Sequence, residues 1–356
     1  MCHKYYKKTE FDEERLKGNH ALKILIINLM YIGDLLFITP AIHLLRTTYP
    51  ASELDLLLDK KYIDIFVNND HINNIIAIDK KGFHGKLMNY IRLIKDIKKK
   101  NYDLVINLHR NERSSAIAAF SNGKRIIGFA SKGFEFFFSS PLKEHTDIHQ
   151  VESYLNVLKV LEIKDLHNKG LEMIPGVDAE NSADRKWTEA GLKSESNVIG
   201  LNTGGSWPTK RWTIEGFAQL INLLYKNNFI PVMFGGDMDK PMVEQIIFKT
   251  PKPPVIFTGK LNLLELGATI KKCSVFVSGD SGPMHIAASQ QIPTVALFGP
   301  SDPIRYAPYH VDHILLRSLE ETCIGCGLHK CEHHRCMKNI KAPDVYRAIT
   351  TLLSKV

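Results

Sequence analysis

The sequence contains no apolar segment long enough to cross a membrane. A transmembrane helix needs about 20 mostly apolar residues, and no such run occurs in the 356 residues of this chain. Residues 1–20 are charged and lack the apolar core of a secretory signal. We therefore expect a cytoplasmic location, no membrane span, and a flexible N-terminal arm over residues 1–20.

Several nucleotide-binding patterns are also missing. The G-x-x-x-x-G-K-[ST] spacing of a P-loop and the G-x-G-x-x-G spacing of a dinucleotide-binding turn do not occur. A P-loop nucleotidase is therefore excluded, and a dehydrogenase has little support. The chain also lacks strands that interleave aromatic and basic residues, as RNP-type RNA-binding domains have. The net charge of +8 by itself suits nucleic acid, an anionic membrane face or a phosphorylated substrate.

Cysteine is scarce, but four of the six cysteines fall within fourteen residues. They are Cys323, Cys326, Cys331 and Cys336. In a reducing cytoplasm, clustered thiols favour a metal ion over disulfides, and four thiolates can close a tetrahedral site on zinc or iron. We expect a structural Zn or Fe ion here, since four cysteine ligands leave no open position for a substrate. Free thiols and two disulfides are the alternatives.

Apolar runs alternate with amphipathic segments along most of the chain. Lys23–Leu29 and Val198–Asn202 are typical of strands covered on both faces, and Lys86–Lys100 and Thr213–Asn227 of helices. This alternation occurs twice and predicts an α/β fold with two Rossmann-like, doubly wound domains facing a cleft. We place the domains at residues 21–178 and 179–340, with a linker within Pro175–Asp184 and a closing helix over residues 341–356.

Glycine turns follow several of the predicted strands. Asp34 comes after the first strand, either as the N-cap of a helix or as a general base for an attacking hydroxyl. Thr203, Gly204, Gly205 and Ser206 precede Lys210, and such a turn and cation suit a diphosphate. Asp280 and His285 flank a helix N-terminus, which is a ready anion site. The alternative for His285 is a packed or capping role.

The motifs together resemble glycosyltransferase family 9, the ADP-heptose-dependent heptosyltransferases of lipopolysaccharide core assembly. The resemblance covers residues 23–340 and rests on IGDLLFITPAIHLLRTTYP, DLVINL, LNTGGSWPTKRWT, FGGDMD, FTGKLNLLELGATI, FVSGDSGPMHIAAS and TVALFGPSDP. It implies a GT-B fold, with the donor bound mainly by the C-terminal domain and the acceptor by the N-terminal one. It also implies inverting transfer of heptose from ADP-L-glycero-D-manno-heptose to a lipid A–Kdo or heptose acceptor, without a catalytic metal.

The resemblance assigns roles to individual residues. Asp34 matches the catalytic base, and Lys210 would stabilise the departing ADP. Arg110 and Arg113, which follow the DLVINL strand, are our candidates for binding acceptor phosphates. The further donor-binding positions implied are Thr203, Gly204, Asp239 at the ribose or adenine end, Leu261 as a wall of the nucleotide pocket, Asp280, Ser281, Gly282 and His285. Asn107 departs from the family pattern, in which many relatives have Asp, and this departure indicates a different acceptor.

An acceptor embedded in the inner membrane implies peripheral attachment to the anionic surface of its inner face. The basic outer face of the helix at Lys86–Lys100 is then either a solvated surface or a contact with anionic lipid. The four phenylalanines Phe134, Phe136, Phe137 and Phe138 are predicted to be domain core rather than a membrane wedge. We expect no nucleic acid partner.

Three alternatives to the predicted function stay open. The first is the same fold with another sugar donor or with a protein acceptor of the autotransporter type. The second is a metal-containing nucleic-acid-binding module, which would bind RNA or DNA with a steep salt dependence. The third is an inactive scaffold, against which the presence of Asp34 and Lys210 argues.

Overall fold

The structure is a computed structural model that describes residues 21–163, 165–193, 195–205 and 207–355. Within these residues the chain forms two compact units. The N-terminal unit contains residues 21–30, Pro40–His145 and Glu152–Asn168. The C-terminal unit contains Tyr31–Thr39, Thr146–Val151 and the chain from Lys169 onward. The predicted arm over residues 1–20 and the turn residue Ser206 lie outside the described residues.

The N-terminal unit is built on a parallel sheet in the order β3-β2-β1-β4-β5-β6. Its strands are β1 (Lys23–Ile27), β2 (Glu53–Asp59), β3 (Asn74–Ile78), β4 (Leu104–Asn107), β5 (Arg125–Phe129) and β6 (Ser140–Leu142). Ile24 pairs with Leu54 on one side and Leu104 on the other, and all three are fully buried. A strand in this central position is covered on both faces, which accounts for its nearly continuous apolar sequence.

The C-terminal unit repeats the same strand order around a second parallel sheet, β12-β11-β10-β7-β8-β9. Its strands are β7 (Val198–Asn202), β8 (Ile230–Phe234), β9 (Val255–Ile256), β10 (Val275–Gly279), β11 (Thr294–Phe298) and β12 (His313–Arg317). Both orders are the doubly wound order of a Rossmann fold. The predicted α/β class with two doubly wound sheets is confirmed.

Helices connect the strands in both units. In chain order the α-helices of the described residues are α1 (Ile32–Phe37), α2 (Thr39–Thr48), α3 (Leu87–Lys99), α4 (Glu112–Phe120), α5 (Gln150–Leu158), α6 (Val177–Glu189), α7 (Ile214–Lys226), α8 (Lys240–Phe248), α9 (Leu263–Ile270), α10 (Gly282–Ser289), α11 (Pro303–Tyr306), α12 (Arg335–Lys338) and α13 (Ala342–Leu353). Short 3-10 helices cover Lys60–Ile65, Phe83–Gly85, Glu135–Phe137, Lys159–Leu161, Pro208–Lys210 and Asp237–Asp239. Over the described parts of the chain, a helix of sufficient length and apolarity to span a bilayer is not found.

The closing helix α13 packs its apolar face into the core of the C-terminal unit. Val345, Ile349 and Leu352 are buried there among side chains of α7 such as Leu220 and Leu224. The predicted helix ran to residue 356, whereas the structure ends it at Leu353. Its sequence spacing of three and four residues places these three side chains on one stripe.

The apolar stretch from Asp34 to Thr48 does not form one continuous helix, because it is divided between α1 and α2. Pro40 has no backbone N–H to donate to the preceding turn, and Thr39 instead donates its hydroxyl to the carbonyl of Leu36 at 2.7 Å. The predicted N-cap role of Asp34 is wrong as well, because α1 begins at Ile32 and Tyr31 holds the cap position. Asp34 lies inside the first helical turn.

Two boundary predictions also differ from the structure. The predicted linker Pro175–Asp184 is mostly helical, because α6 begins at Val177 and buries Ala179, Ala183 and Trp187. Gly176 precedes it with a φ of 82°, a conformation that glycine adopts without strain. The predicted first domain, residues 21–178, included Tyr31–Thr39, whereas in the structure this segment belongs to the C-terminal unit.

The phenylalanine-rich segment is core only in part. Phe138 is buried and Phe134 packs against the core of the N-terminal unit, as predicted. Phe136 and Phe137 are both exposed, so their assignment to the core was wrong. The short helix Glu135–Phe137 turns the ring of Phe136 outward, and that ring lies 4.2 Å from the ring of Phe137. Phe137 in turn contacts Phe120.

Candidate functional site

The candidate site lies where the strand order of the C-terminal sheet reverses, between β7 and β10. Thr203 and Gly204 directly follow β7, and Asp280 directly follows β10. In doubly wound sheets, ligands bind outside the carboxyl ends of the strands at this switch point. The turns predicted to bind a diphosphate are therefore neighbours at the position where the fold provides a crevice.

Three ionisable side chains form a triad at this position, and two of them, Asp280 and His285, are buried. The ammonium of Lys210 lies 2.6 Å from Oδ2 of Asp280, and Nε2 of His285 lies 3.6 Å from Oδ1 of the same carboxylate. The side chains of Asp280 and His285 are 8% and 3% exposed. Burial acts to raise the pKa of Asp280, but the hydrogen bond from His285 and the charge of Lys210 outweigh it and lower that pKa to about 2. Asp280 is therefore ionised at neutral pH.

Asp280 also gives the stability of the chain a specific pH dependence. Its folded pKa of about 2 lies below the ordinary 3.8. The stabilisation is therefore complete above the ordinary value and is lost as the pH falls through the folded one. The free energy of unfolding of the parent should fall between about pH 5 and about pH 2. In Asp280→Asn this fall should be about 2 kcal/mol smaller.

Denaturant unfolding of the parent and the variant at both pH values measures this difference. Asp237→Asn is the matched control, because Asp237 is an exposed carboxylate of the same unit that pairs with Lys240. An equal loss in the two variants would contradict the assignment to Asp280.

An amide connects the two turns beneath the triad. Nδ2 of Asn202, the last residue of β7, donates to the Gly204 carbonyl at 3.2 Å and lies 3.0 Å from the hydroxyls of both Ser278 and Ser281. Ser281 was predicted as a donor contact, and the structure places its hydroxyl in this network. Sequence analysis missed Asn202 and Ser278, although polar residues that end otherwise apolar buried strands are a recognisable pattern.

Two glycines are required by close backbone approach. A Cβ on Gly204 would lie 2.6 Å from Oδ2 of Asp239, and one on Gly279 would lie 2.7 Å from the carbonyl oxygen of Lys210. Next to Gly204, the hydroxyl of Thr203 is buried and has no hydrogen-bond partner among the described residues. A buried hydroxyl without a partner is costly, and the predicted donor contact of Thr203 would supply one.

Asp239 stabilises the adjacent turn. Its Oδ2 accepts a hydrogen bond from the backbone N–H of Gly236 at 2.9 Å, and its Oδ1 lies 3.5 Å from the guanidinium of Arg211. Leu261 lies half-buried in the turn that precedes α9. The predicted contacts of Asp239 with a ribose or adenine and of Leu261 with a nucleotide base stay predictions.

The first turn of α1 packs against the first turn of α10. A Cβ on Gly33 would lie 2.8 Å from Cδ2 of His285, and one on Gly282 would lie 3.0 Å from Cβ of Ile32. The ring of Phe37 is 4.5 Å from the imidazole of His285. Glycine on both helices permits this approach, which brings the half-buried Asp34 next to the turn predicted to bind a diphosphate, within one unit.

His149 is a buried histidine that sequence analysis missed. Its ring contacts Phe37 edge-on at 5.3 Å and stacks on Tyr309 at 4.8 Å, and its Nε2 lies 3.0 Å from the carbonyl oxygen of Ala307. Burial lowers the pKa of His149 to about 4, against the opposing effect of that carbonyl. His149 is therefore neutral at physiological pH and supports Phe37, which in turn contacts His285.

The N-terminal unit carries the predicted acceptor residues at the carboxyl end of β4. Arg113 donates from its guanidinium to the carbonyl of Lys80 at 3.2 Å and lies over the ring of Tyr90 at 5.5 Å. Lys80 is itself held by Asp59 at 2.9 Å and by the carbonyl of Leu29 at 2.7 Å. Arg110 is exposed. These contacts hold Arg113 and Lys80 together as two cations at the carboxyl end of the sheet.

Asn107 has a structural role that explains why an amide stands here. It is fully buried, and its Nδ2 donates to the carbonyls of Phe129 at 2.6 Å and His109 at 3.1 Å. An ionised aspartate cannot donate hydrogen bonds, so it could not replace either of these contacts. Asn107 therefore connects the loops that follow β4 and β5, and the proposed link between this departure and the acceptor stays a prediction.

The four clustered cysteines surround a small cavity next to the Lys210 turn. Cys323, Cys326 and Cys331 are exposed and Cys336 is buried, and all four are free thiols. They line a cavity of about 60 Å³ together with His333 and His334. Among the described residues, these thiols do not belong to a group whose ligand atoms lie close enough together to share a metal ion. The predicted metal centre is therefore not shown by this conformation.

The cysteine loop is attached to the turn that carries Lys210. Nε2 of His334 lies 2.7 Å from the carbonyl oxygen of Thr209, and the Thr209 hydroxyl donates to the carbonyl of Leu328 at 2.8 Å. The ring of His329 lies 3.4 Å from that of Trp207, over which the Lys210 ammonium sits at 4.2 Å. Thr209 and Trp207, which lie one and three residues before Lys210, therefore both contact this loop.

Comparisons with known proteins identify the family of the chain. Residues 90–336 match the sequence model of a family described as glycosyltransferase family 9 (heptosyltransferase). The chain is 30% identical over 293 residues to lipopolysaccharide heptosyltransferase 3 of Escherichia coli K12, an alignment that covers 78% of this chain and 83% of that protein.

Solved structures are similar over nearly the whole chain. A glycosyl transferase family 9 structure from Veillonella parvula DSM 2008 has a TM-score of 0.88 at 31% identity and covers 94% of this chain and 98% of that one. The iron-containing heptosyltransferase TibC of enterotoxigenic E. coli H10407, in complex with ADP-D-beta-D-heptose, has a TM-score of 0.59 at 15% identity. That similarity covers 94% of this chain and 78% of TibC and concerns the fold alone.

Proposed function

Because the chain belongs to glycosyltransferase family 9 and is therefore a glycosyltransferase with a GT-B fold, we propose that it transfers heptose from ADP-L-glycero-D-manno-heptose to a lipopolysaccharide inner-core acceptor, with inversion. The observation that carries the proposal is the packing of the Asp34 turn against the Lys210–Asp280–His285 triad in one unit. A base candidate and a diphosphate site are thus adjacent.

The donor diphosphate binds across the turns after β7 and β10 in this proposal. The Thr203 hydroxyl, which has no partner among the described residues, and the N–H groups at the start of α10 donate to phosphate oxygens. Lys210 supplies the positive charge, and Asp280 holds its ammonium in place. As the bond between the anomeric carbon and the diphosphate oxygen breaks, negative charge grows on ADP where Lys210 can stabilise it.

Asp34 acts on the acceptor side of the same reaction. The acceptor hydroxyl attacks the anomeric carbon from the face opposite the leaving diphosphate, and its proton passes to the Asp34 carboxylate. Attack from that face inverts the configuration at the anomeric carbon. The charge stabilisation is assigned to Lys210 and the α10 N-terminus, and no step is assigned to a metal ion.

The acceptor is an anionic, lipid-linked core oligosaccharide in this proposal, and its phosphates are bound by Arg110 and Arg113. A peripheral position on the inner face of the inner membrane follows from the location of such an acceptor. Calorimetry with ADP-heptose and with other nucleotide sugars, followed by transfer assays on delipidated core oligosaccharide, tests donor and acceptor separately. Transfer from another sugar nucleotide, or to a protein alone, would replace the heptose–lipopolysaccharide assignment.

We also propose a structural Zn or Fe ion on Cys323, Cys326, Cys331 and Cys336. The chemistry of the donor set supports it, since four thiols and two imidazoles line one small cavity, and three of the thiols are exposed. TibC, which shares the fold, contains iron. The ion would hold the loop in one geometry and would leave no open position for substrate.

Metal analysis of protein purified under reducing conditions should give one Zn or Fe per chain. Chelation is expected to release it and to lower the melting temperature, because metal binding and the order of the loop are coupled. Cys273→Ser is the control, since Cys273 is a buried thiol outside the loop. Absence of stoichiometric metal together with four titratable thiols would refute the proposed ion.

A further inference from the structure

We propose that an exposed face of the N-terminal unit binds the surface of an anionic lipid bilayer. We call it the basic apolar face and define it by Lys81, Phe83, Lys86, Leu87, Met88, Ile91, Arg92 and Lys95. It comprises the short helix Phe83–Gly85 and the first turns of α3. This inference rests on the proposed function, since a lipid-linked acceptor is what would make such a surface useful.

Large apolar side chains are exposed on this face. Phe83, Leu87, Met88 and Ile91 are 55%, 70%, 74% and 37% exposed. The opposite side of α3 buries Leu93 and Ile97, so the helix already has its core contact and these exposed residues form a second apolar stripe. Leu87 and Ile91 are four residues apart and Met88 and Ile91 three, which places them together on one helix surface.

Positive charge surrounds the apolar side chains. Residues 79–100 contain eight Lys or Arg and two Asp, a net charge of +6 out of +8 for the whole chain. The two carboxylates are engaged locally, since Asp96 pairs with Lys99 at 2.8 Å and Asp79 accepts from the Gly82 N–H at 2.8 Å. Among the described residues, the recorded ion pairs do not include Lys86, Arg92 or Lys95, so their charge is available to anionic headgroups.

The combination favours a bilayer over other anionic partners. Exposed Leu, Met and Phe interleaved with Lys and Arg are typical of helices that lie in the membrane interface, with apolar side chains in the acyl boundary and cations among the headgroups. Nucleic acid would be matched by the cations but not by this aliphatic stripe. A second copy of this chain would bring the same net charge of +6 against itself, and such a pairing is repulsive.

The face is connected to the candidate acceptor residues. Tyr90, on α3 between Met88 and Ile91, donates its hydroxyl to the carbonyl of Arg113 at 2.8 Å, and its ring lies beneath the Arg113 guanidinium. A bilayer seated on α3 therefore lies next to the cations that are proposed to bind acceptor phosphates. The sugar of a lipid-linked acceptor would reach these residues without leaving the membrane.

Vesicle sedimentation with the full chain tests the inference. We expect binding to vesicles of phosphatidylcholine with phosphatidylglycerol, weak binding to phosphatidylcholine alone, and a decrease with salt. Leu87→Ser/Met88→Ser and Lys86→Glu/Lys95→Glu should each reduce binding at least about tenfold. The matched controls are Phe248→Ser, at an exposed apolar residue of α8, and Lys193→Glu, at an exposed lysine of the C-terminal unit. Both should bind as the parent does.

Two activity assays separate this inference from the proposed function. Transfer to a delipidated acceptor should be unchanged in the α3 variants, while transfer to the same acceptor embedded in vesicles should fall with vesicle binding. Equal vesicle binding by parent and α3 variants would overturn the inference, whatever the activity. If the parent binds vesicles as expected but transfers no heptose to the soluble acceptor, the proposed function fails and the membrane surface stands. Binding to RNA or self-association that the same substitutions abolish, without vesicle binding, would assign the face to another partner.

Discussion

Asp34→Asn is expected to lower the turnover number by about 10²–10⁴-fold, the usual effect of losing a general base. The substitution keeps the size of the side chain but removes its ability to accept the acceptor proton at neutral pH. Because Asp34 lies in the first turn of α1 and not at its cap, the substitution should remove a favourable interaction with the helix dipole of about 0.3–1 kcal/mol.

Steady-state transfer from ADP-heptose to a soluble core acceptor measures the effect, and denaturant unfolding measures the stability. Asp178→Asn is the matched control, since Asp178 is also a carboxylate in the first turn of a helix of the same unit. It should show the same small change in stability with parental turnover. Turnover of Asp34→Asn within a few-fold of the parent would leave Asp34 as a structural residue only.

Lys210→Ala is expected to weaken donor binding and to lower turnover by about 10²–10³-fold, as the loss of a group that stabilises developing charge does. The structure adds a second effect. Removing the ammonium leaves the buried Asp280 carboxylate without its lysine partner, so stability should fall by about 1–3 kcal/mol. The variant is therefore less stable, and its donor affinity must be measured below its unfolding transition.

The double variant Lys210→Ala/Asp280→Asn separates the two effects. It removes the unpaired buried charge, so it should recover part of the lost stability while donor binding stays weak. Lys240→Ala is the control, because Lys240 is an exposed lysine of the same unit that pairs with Asp237. Donor affinity and turnover of Lys210→Ala equal to those of the parent would refute the role of Lys210.

The strands that carry the site could be predicted because each of them is a run of consecutive, mostly apolar residues. Lys23–Ile27 and Val198–Asn202 are covered on both sheet faces, so nearly every side chain is apolar. Strands β6 and β12 were missed for the opposite reason. They lie at sheet edges, and their mixed exposure, with Pro141 in one and His313 in the other, leaves no continuous apolar run.

Contacts within the site were less accessible to sequence reasoning. The position of Asp280 after a strand predicted that it would lie at the carboxyl end of the sheet. It did not predict that Lys210, seventy residues earlier, would pair with it. The amide of Asn202 meets Ser278 and Ser281 across a similar separation. Such pairings depend on which strands are neighbours, and this information comes from the topology and not from local sequence.

The contacts between the cysteine loop and the Lys210 turn imply a thermodynamic linkage. His334 contacts Thr209 and His329 contacts Trp207, and both of these residues lie just before Lys210, which is proposed to bind the donor diphosphate. Any event that reshapes the loop, such as metal loss or thiol oxidation, should therefore shift the Kd for ADP-heptose by some factor. By reciprocity, saturation with donor must shift the metal affinity of the loop by the same factor. The supply of sugar nucleotide and the redox state of four thiols would then act on a single equilibrium.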